Sequence, residues 1–180
     1  MAKCEILQPF ILSWEGGFCN VPGDSGGATN KGITIATYRS VFGQERTIDD
    51  LKTITDIEWL HIYKTFYWDK WKADSIRSQA IANLLVDWYW NSGTYGIKIP
   101  QRVLEVKADG IVGPKTLAAI NTCPDQEGLF KLLWHEREAY YSRIATGAKK
   151  KFLKGWLNRL DGIRYKKLIC NGGKEITWDV

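Results

Sequence analysis

Apart from one glycine-crowded stretch between Gly16 and Thr34, the chain reads almost entirely as helix, and that imbalance restricts it to mainly α architectures. Ile6, Leu7, Phe10, Ile11 and Trp14 recur at the spacing of one helix face, and Gly16-Gly17 ends the run. Thr55-Asp56-Ile57-Glu58 is a capping box, which predicts a helix carrying Trp59, Leu60, Ile62, Tyr63 and Phe66. Ser75 is expected to open a further helix through Ile76, Ala80, Leu84, Leu85 and Trp88, closing at Asn91-Ser92-Gly93. Pro114 suits the first turn of a helix to Ile120. Asp125 marks a later helix start, with Leu129, Leu132, Leu133 and Tyr140 as its apolar stripe. Strand-like alternation is confined to about residues 18–35.

Composition narrows the class. At 180 residues with a hydrophobic fraction of 44%, the chain can bury a sizeable core. No apolar stretch is long enough to span a bilayer, and no export signal is legible, so stable membrane insertion is not expected. The net charge of +5 favours an anionic partner without choosing one. Its basic side is concentrated in Lys149-Lys150-Lys151, Lys154, Arg159, Arg164, Lys166 and Lys167, read as a solvated helix face. Cys4, Cys19, Cys123 and Cys170 form no Cys-x-x-Cys pair, and His61 and His135 are not spaced as ligands, so neither a metal nor another cofactor is expected. The thiols read as free residues of a protein made in a reducing compartment. No helix-turn-helix or zinc pattern points to nucleic acid.

Glu15 is the residue placed against local preference. It stands at a helix end, where free carbonyls make a carboxylate cost roughly 0.3–1 kcal/mol and a lysine would help. That position, with expected burial against Trp14, favours the neutral acid form, which suits a proton donor. The glycines and short polar residues that follow allow backbone to close around a ligand. Glycoside hydrolysis requires such a donor and a group that positions water or stabilises an oxocarbenium ion. Asp24 is the candidate partner; a carboxyl separation of about 5–5.5 Å would make it a retaining nucleophile and one of roughly 6.5–9.5 Å an inverting base. Thr29, Asn30 and Thr34 add groups able to hold water or sugar hydroxyls. Trp68, Trp71, Trp88, Tyr89 and Trp90 are too dense for every ring to face one core, so some are expected to line a groove suited to sugar rings. Gly23-Asp24-Ser25-Gly26-Gly27 imitates a serine-nucleophile loop, but the histidines fall in the wrong order for the trypsin-like arrangement.

Glu15-Gly16-Gly17-Phe18, Asp24-Ser25-Gly26-Gly27-Ala28-Thr29-Asn30-Lys31-Gly32-Ile33-Thr34 and Tyr67-Trp68-Asp69 resemble the N-acetylmuramidases of glycoside hydrolase family 108. Asn91-Ser92-Gly93, Asp109 to Leu117 and Lys154-Gly155-Trp156-Leu157-Asn158-Arg159 resemble the peptidoglycan-binding region that accompanies them. Phe18 and Lys31 depart from that pattern, which often has Tyr at the first position and an aromatic residue at the second. The resemblance implies a mainly α, lysozyme-like fold with a small β-hairpin or irregular loop near residues 18–35. It implies a muramidase region over 1–93 and a peptidoglycan-binding region over 94–180, packed as one unit. It implies cleavage of the β-1,4 bond between N-acetylmuramic acid and N-acetylglucosamine, with Glu15 as acid. The wider phage-lysozyme pattern of Glu, eight residues, Asp and a nearby Thr is met by Glu15 and Asp24, with Thr29 one residue short. Asn91 with Trp88, Tyr89 and Trp90 is expected to form the opposite wall of the cleft. The expected partner is the peptidoglycan glycan strand, reached outside the cytoplasm through a holin or secretion machinery. The alternative is a non-catalytic wall-binding or secretion-accessory protein on the same fold.

Overall fold

The structure is a computed structural model, and it describes residues 1–20 and 27–179. Helix α1 (Cys4–Trp14) places Leu7, Phe10 and Ile11 in the core, as the spacing of its apolar residues requires. Glu15 caps it in an extended conformation, with its N–H still donating to the Ile11 carbonyl at 3.2 Å. After the loop, β1 (Thr29–Asn30) and β2 (Ile33–Thr34) pair antiparallel, Thr29 opposite Thr34 and Asn30 opposite Ile33. Their two-residue turn is Lys31-Gly32, both with positive φ, the backbone that matches strand twist in a tight hairpin.

Three short helices follow: α2 (Ile35–Phe42), α3 (Ile48–Lys52) and α4 (Asp56–Tyr63). Helices α3 and α4 begin with complete capping boxes, Thr47 with Asp50 and Thr55 with Glu58. A π-helical turn, Lys64–Trp68, then leads to the central helix α5 (Gln79–Ser92). Every residue from Gln79 to Trp88 is buried, so α5 is enclosed on all sides rather than amphipathic. Around it stand α6 (Tyr95–Val103) and α8 (Gln126–Ile144), with α7 (Pro114–Thr122) following the Gly113-Pro114 entry. Helix α9 (Leu153–Asp161) packs on α8, and a second hairpin, β3 (Lys167–Ile169) with β4 (Glu175–Thr177), closes against α1.

Three local expectations are corrected. Ser75 ends a 3-10 turn, Ala73–Ser75, and the cap of α5 is Ser78, whose hydroxyl accepts from the Ile81 N–H. The stripe of α8 that faces inward is Leu129, Leu133, Arg137 and Tyr141, while Leu132 is half exposed. The C-terminal segment forms a hairpin where the sequence predicts helix, because strands of three residues are too short to display alternation.

Candidate active site

Four elements meet at Glu15. Its Oε1 accepts the indole N–H of Trp90, from the end of α5, at 2.7 Å. The same oxygen accepts from Nη1 of Arg159, from α9, at 2.9 Å. Both donors occupy Oε1, and among the described residues none donates to Oε2. The hairpin turn presses on the other side: a Cβ at Gly32 would stand 2.8 Å from Oε2 and 2.6 Å from the Trp90 ring. Glycine is required there twice over, for φ of +78° and for the close approach of the carboxyl. The indole that holds Glu15 is therefore Trp90 rather than the expected Trp14, and a cation faces the acid.

Arg159 is held from behind. Its Nε and Nη2 both donate to Oδ1 of Asp87, at 3.0 and 2.7 Å. Arg137 donates to Oδ2 of Asp87 at 2.6 Å, to the Leu84 carbonyl at 3.2 Å and to the Tyr141 hydroxyl at 2.8 Å. Asp87 and Arg137 are fully buried. Burial pushes the Asp87 carboxyl up, but the Arg159 and Arg137 guanidiniums outweigh it and hold Asp87 below the usual carboxylate range. Burial alone would lower Arg159, and Asp87 with Glu15 reverse that, so Arg159 stays charged. The result is an alternating row, Glu15, Arg159, Asp87 and Arg137, running from the partly open carboxyl into the core.

Aromatic rings line the same corner. The Tyr67 ring lies 4.3 Å from that of Trp90 and 5.8 Å from that of Tyr89. Burial pushes the Tyr67 hydroxyl up, with Tyr89 and the charge of Glu15 adding to it. Trp59 backs Trp90 at 5.7 Å and donates its indole N–H to the Lys31 carbonyl at 2.9 Å, tying the hairpin turn to the wall. Tyr67, Tyr89 and Trp90 remain only half buried, so the wall keeps faces available to a sugar ring.

The other residues singled out from the sequence fall in varied places. Asp24 lies outside the described residues. Thr29 stands in β1, its backbone bridged to Cys19, with its hydroxyl 3.5 Å from the Gly27 carbonyl. Asn30 is buried, and its amide donates to the Leu51 and Lys52 carbonyls at 2.9 and 3.0 Å, so it fastens the hairpin to α3. Thr34 caps α2 by accepting from the Thr37 N–H at 3.1 Å. Asn91 turns its amide back onto the Asp87 carbonyl at 2.8 Å. Trp88 is fully buried and offers no face to a ligand, whereas Tyr89 and Trp90 do.

Sequence reasoning missed Arg159, Asp87, Arg137 and Tyr67. Two of them had a legible signal. Asp87 interrupts the apolar run Leu84-Leu85-Val86-Asp87-Trp88, and Arg137 occupies the inward register Leu129, Leu133, Arg137, Tyr141. Such placements mark a buried pair, since an unpaired charge there would be too costly. Arg159 was hidden among the basic residues read as a solvated face, and it is buried instead.

Among the described residues no group of three or more His, Cys, Asp or Glu side chains is placed to hold a metal ion. No helix among them is long and apolar enough to cross a membrane. A cavity of about 720 Å³ opens at the first turn of α5, between Lys3, Arg77, Gln79 and Trp178. A rise of about 1.5 Å per residue puts Gln79 roughly 16 Å from Trp90, so this cavity is separate from the Glu15 corner. The Glu15 corner instead joins a doubly hydrogen-bonded carboxyl to a wall of half-buried aromatic rings.

Residues 8–93 match the family model described as glycosyl hydrolase 108, and residues 95–161 match the one described as a predicted peptidoglycan domain. No curated protein matches the chain. Among solved structures it is similar to Brucella abortus SagA, at 32% identity and a TM-score of 0.72, over 87% of this chain and 88% of that one.

Proposed function

Since the chain belongs to glycosyl hydrolase family 108 and joins that region to a peptidoglycan domain, we propose that it is an N-acetylmuramidase in which Glu15 is the general acid. The β-1,4 bond between N-acetylmuramic acid and N-acetylglucosamine is the bond it breaks. The observation that carries this reading is the double clamp on Oε1 of Glu15 by Trp90 and Arg159, beside a hairpin turn kept free of side chain at Gly32.

With Oε1 occupied, the proton to be delivered resides on Oε2. Its transfer to the glycosidic oxygen lets the C–O bond break as positive charge grows on the sugar. Tyr67, Tyr89 and Trp90 supply flat apolar faces against which pyranose rings stack. Asp24, nine residues after Glu15, is the proposed group for activating water or balancing the developing charge.

Mass analysis of muropeptides released from purified peptidoglycan tests the reading. Wild type is expected to leave N-acetylmuramic acid at the new reducing ends, and Glu15→Gln is expected to release almost none. Products ending in reducing N-acetylglucosamine would overturn the bond assignment. Binding to the wall without new reducing ends from wild type would instead support a non-catalytic protein on the same fold.

A further inference from the structure

Arg159 lies within the segment that matches the peptidoglycan domain, yet its guanidinium reaches the acid of the hydrolase segment, 144 residues away in sequence. A structural account of the buried charges does not require this. Arg137 alone already neutralises Asp87 with a 2.6 Å contact, and it is held in place by further hydrogen bonds to the Leu84 carbonyl and the Tyr141 hydroxyl. Bringing a second guanidinium into the same buried place adds desolvation cost, so a network serving stability alone would do better with an apolar side chain there. What the second arginine adds is its third contact, from Nη1 to Oε1 of Glu15.

We propose that Arg159 is a positioning residue for Glu15, so that the hydrolase segment obtains a working acid only when α9 of the peptidoglycan segment is packed against it. This rests on the reading of Glu15 as the acid. The planar guanidinium suits the task, because its edges serve two carboxylates in one fixed geometry. Nε and Nη2 anchor the fork on Oδ1 of Asp87, and Nη1 is thereby aimed at Glu15. Trp90 contributes the second donor, and the two together fix the carboxyl rotamer with Oε2 against Gly32. The peptidoglycan segment thus completes the catalytic centre as well as offering a surface to the wall.

The test is a double-mutant cycle on purified, uncrosslinked peptidoglycan strands, with kcat and KM determined separately for wild type, Arg159→Met, Glu15→Gln and the double variant. Arg159→Met is expected to lose roughly 10- to 100-fold in kcat, the scale of a misplaced catalytic group, with KM within about twofold. In the Glu15→Gln background the same substitution is expected to cost less than about twofold, because Arg159 acts through Glu15. An equal loss in both backgrounds, a loss carried by KM, or full kcat in Arg159→Met would overturn the proposal.

Should Arg159→Met fail to fold, Arg159→Lys enters the same cycle. It keeps the charge but lacks the fork, and a loss of roughly 3- to 10-fold in kcat is expected only where Glu15 is present. Equal factors in both backgrounds, or no loss at all, would again overturn it. A Glu15→Gln variant as fast as wild type would defeat the acid assignment itself. A Glu15→Gln variant slowed by orders of magnitude, in which Arg159→Met still costs the same factor as in wild type, would defeat only the positioning role.

Discussion

Among the described residues, two small antiparallel hairpins do different work. The turn of the first, Lys31-Gly32, is pressed between the Glu15 carboxyl and the Trp90 ring, and its strands are fastened by Asn30 to α3 and by Thr34 to α2. The second, β3 with β4, has Gly172 and Gly173 at its turn, also with positive φ, and a Cβ there would meet nothing within 4 Å. Both are two-stranded and antiparallel with glycine at positive φ in the turn, and what sets them apart for Glu15 is what each turn touches. A tight turn becomes part of a side-chain cluster when its missing side chain is space that a neighbouring carboxyl occupies.

The largest expected effect falls behind the first hairpin, on the charge row that aims Arg159. Asp87→Ala leaves Arg137 and Arg159 without their shared carboxylate and is expected to destabilise the fold by about 3–5 kcal/mol, measured by denaturant unfolding. The pH dependence follows from the same pairing. The folded Asp87 carboxyl lies below its unfolded value of about 4, so its contribution is complete above that pH and is lost as pH falls through the folded value. Stability profiles of wild type and Asp87→Ala should therefore converge in acid, and parallel profiles down to pH 2 would contradict the ion-pair account.

Gly32→Ala and Gly173→Ala break the comparison directly. Each places alanine at positive φ, for a backbone strain of roughly 1–2 kcal/mol. Only at Gly32 does the new methyl strike Oε2 and the indole, so that variant should also lose at least about tenfold in hydrolysis rate. Gly173→Ala should hydrolyse peptidoglycan at the wild-type rate, and equal rate losses in the two would erase the distinction. Thr34→Ala sharpens it on a smaller scale, with the lost cap on α2 costing about 1 kcal/mol in thermal unfolding.

What was legible in the sequence is what is decided locally. Thr55 with Glu58 and Asp125 mark helix starts through side chains that satisfy backbone groups within one turn, and Pro114 marks one through its fixed φ and missing N–H, as the structure has all three. Glu15 stood out by the same logic, as an acid at the wrong end of α1. Its support was not legible, because Trp90 lies 75 residues on and Arg159 lies 144 residues on. Nothing in the local pattern separates a lysine at 154, exposed on α9, from an arginine at 159 on the buried face, until the packing of α9 on α8 is known. Thr34 and Asn30 show the converse: their polar groups were visible, but whether they faced a substrate or the backbone depended on how the hairpin was tied down.

The most direct measurement is the rate of reducing-end release from purified peptidoglycan by Glu15→Gln, compared with wild type at matched thermal stability. The amide can still accept from Trp90 and Arg159 but has no proton to give as an acid. A fall of roughly two to four orders of magnitude is the expected result. Release at the wild-type rate would contradict the assignment of Glu15 as the proton donor.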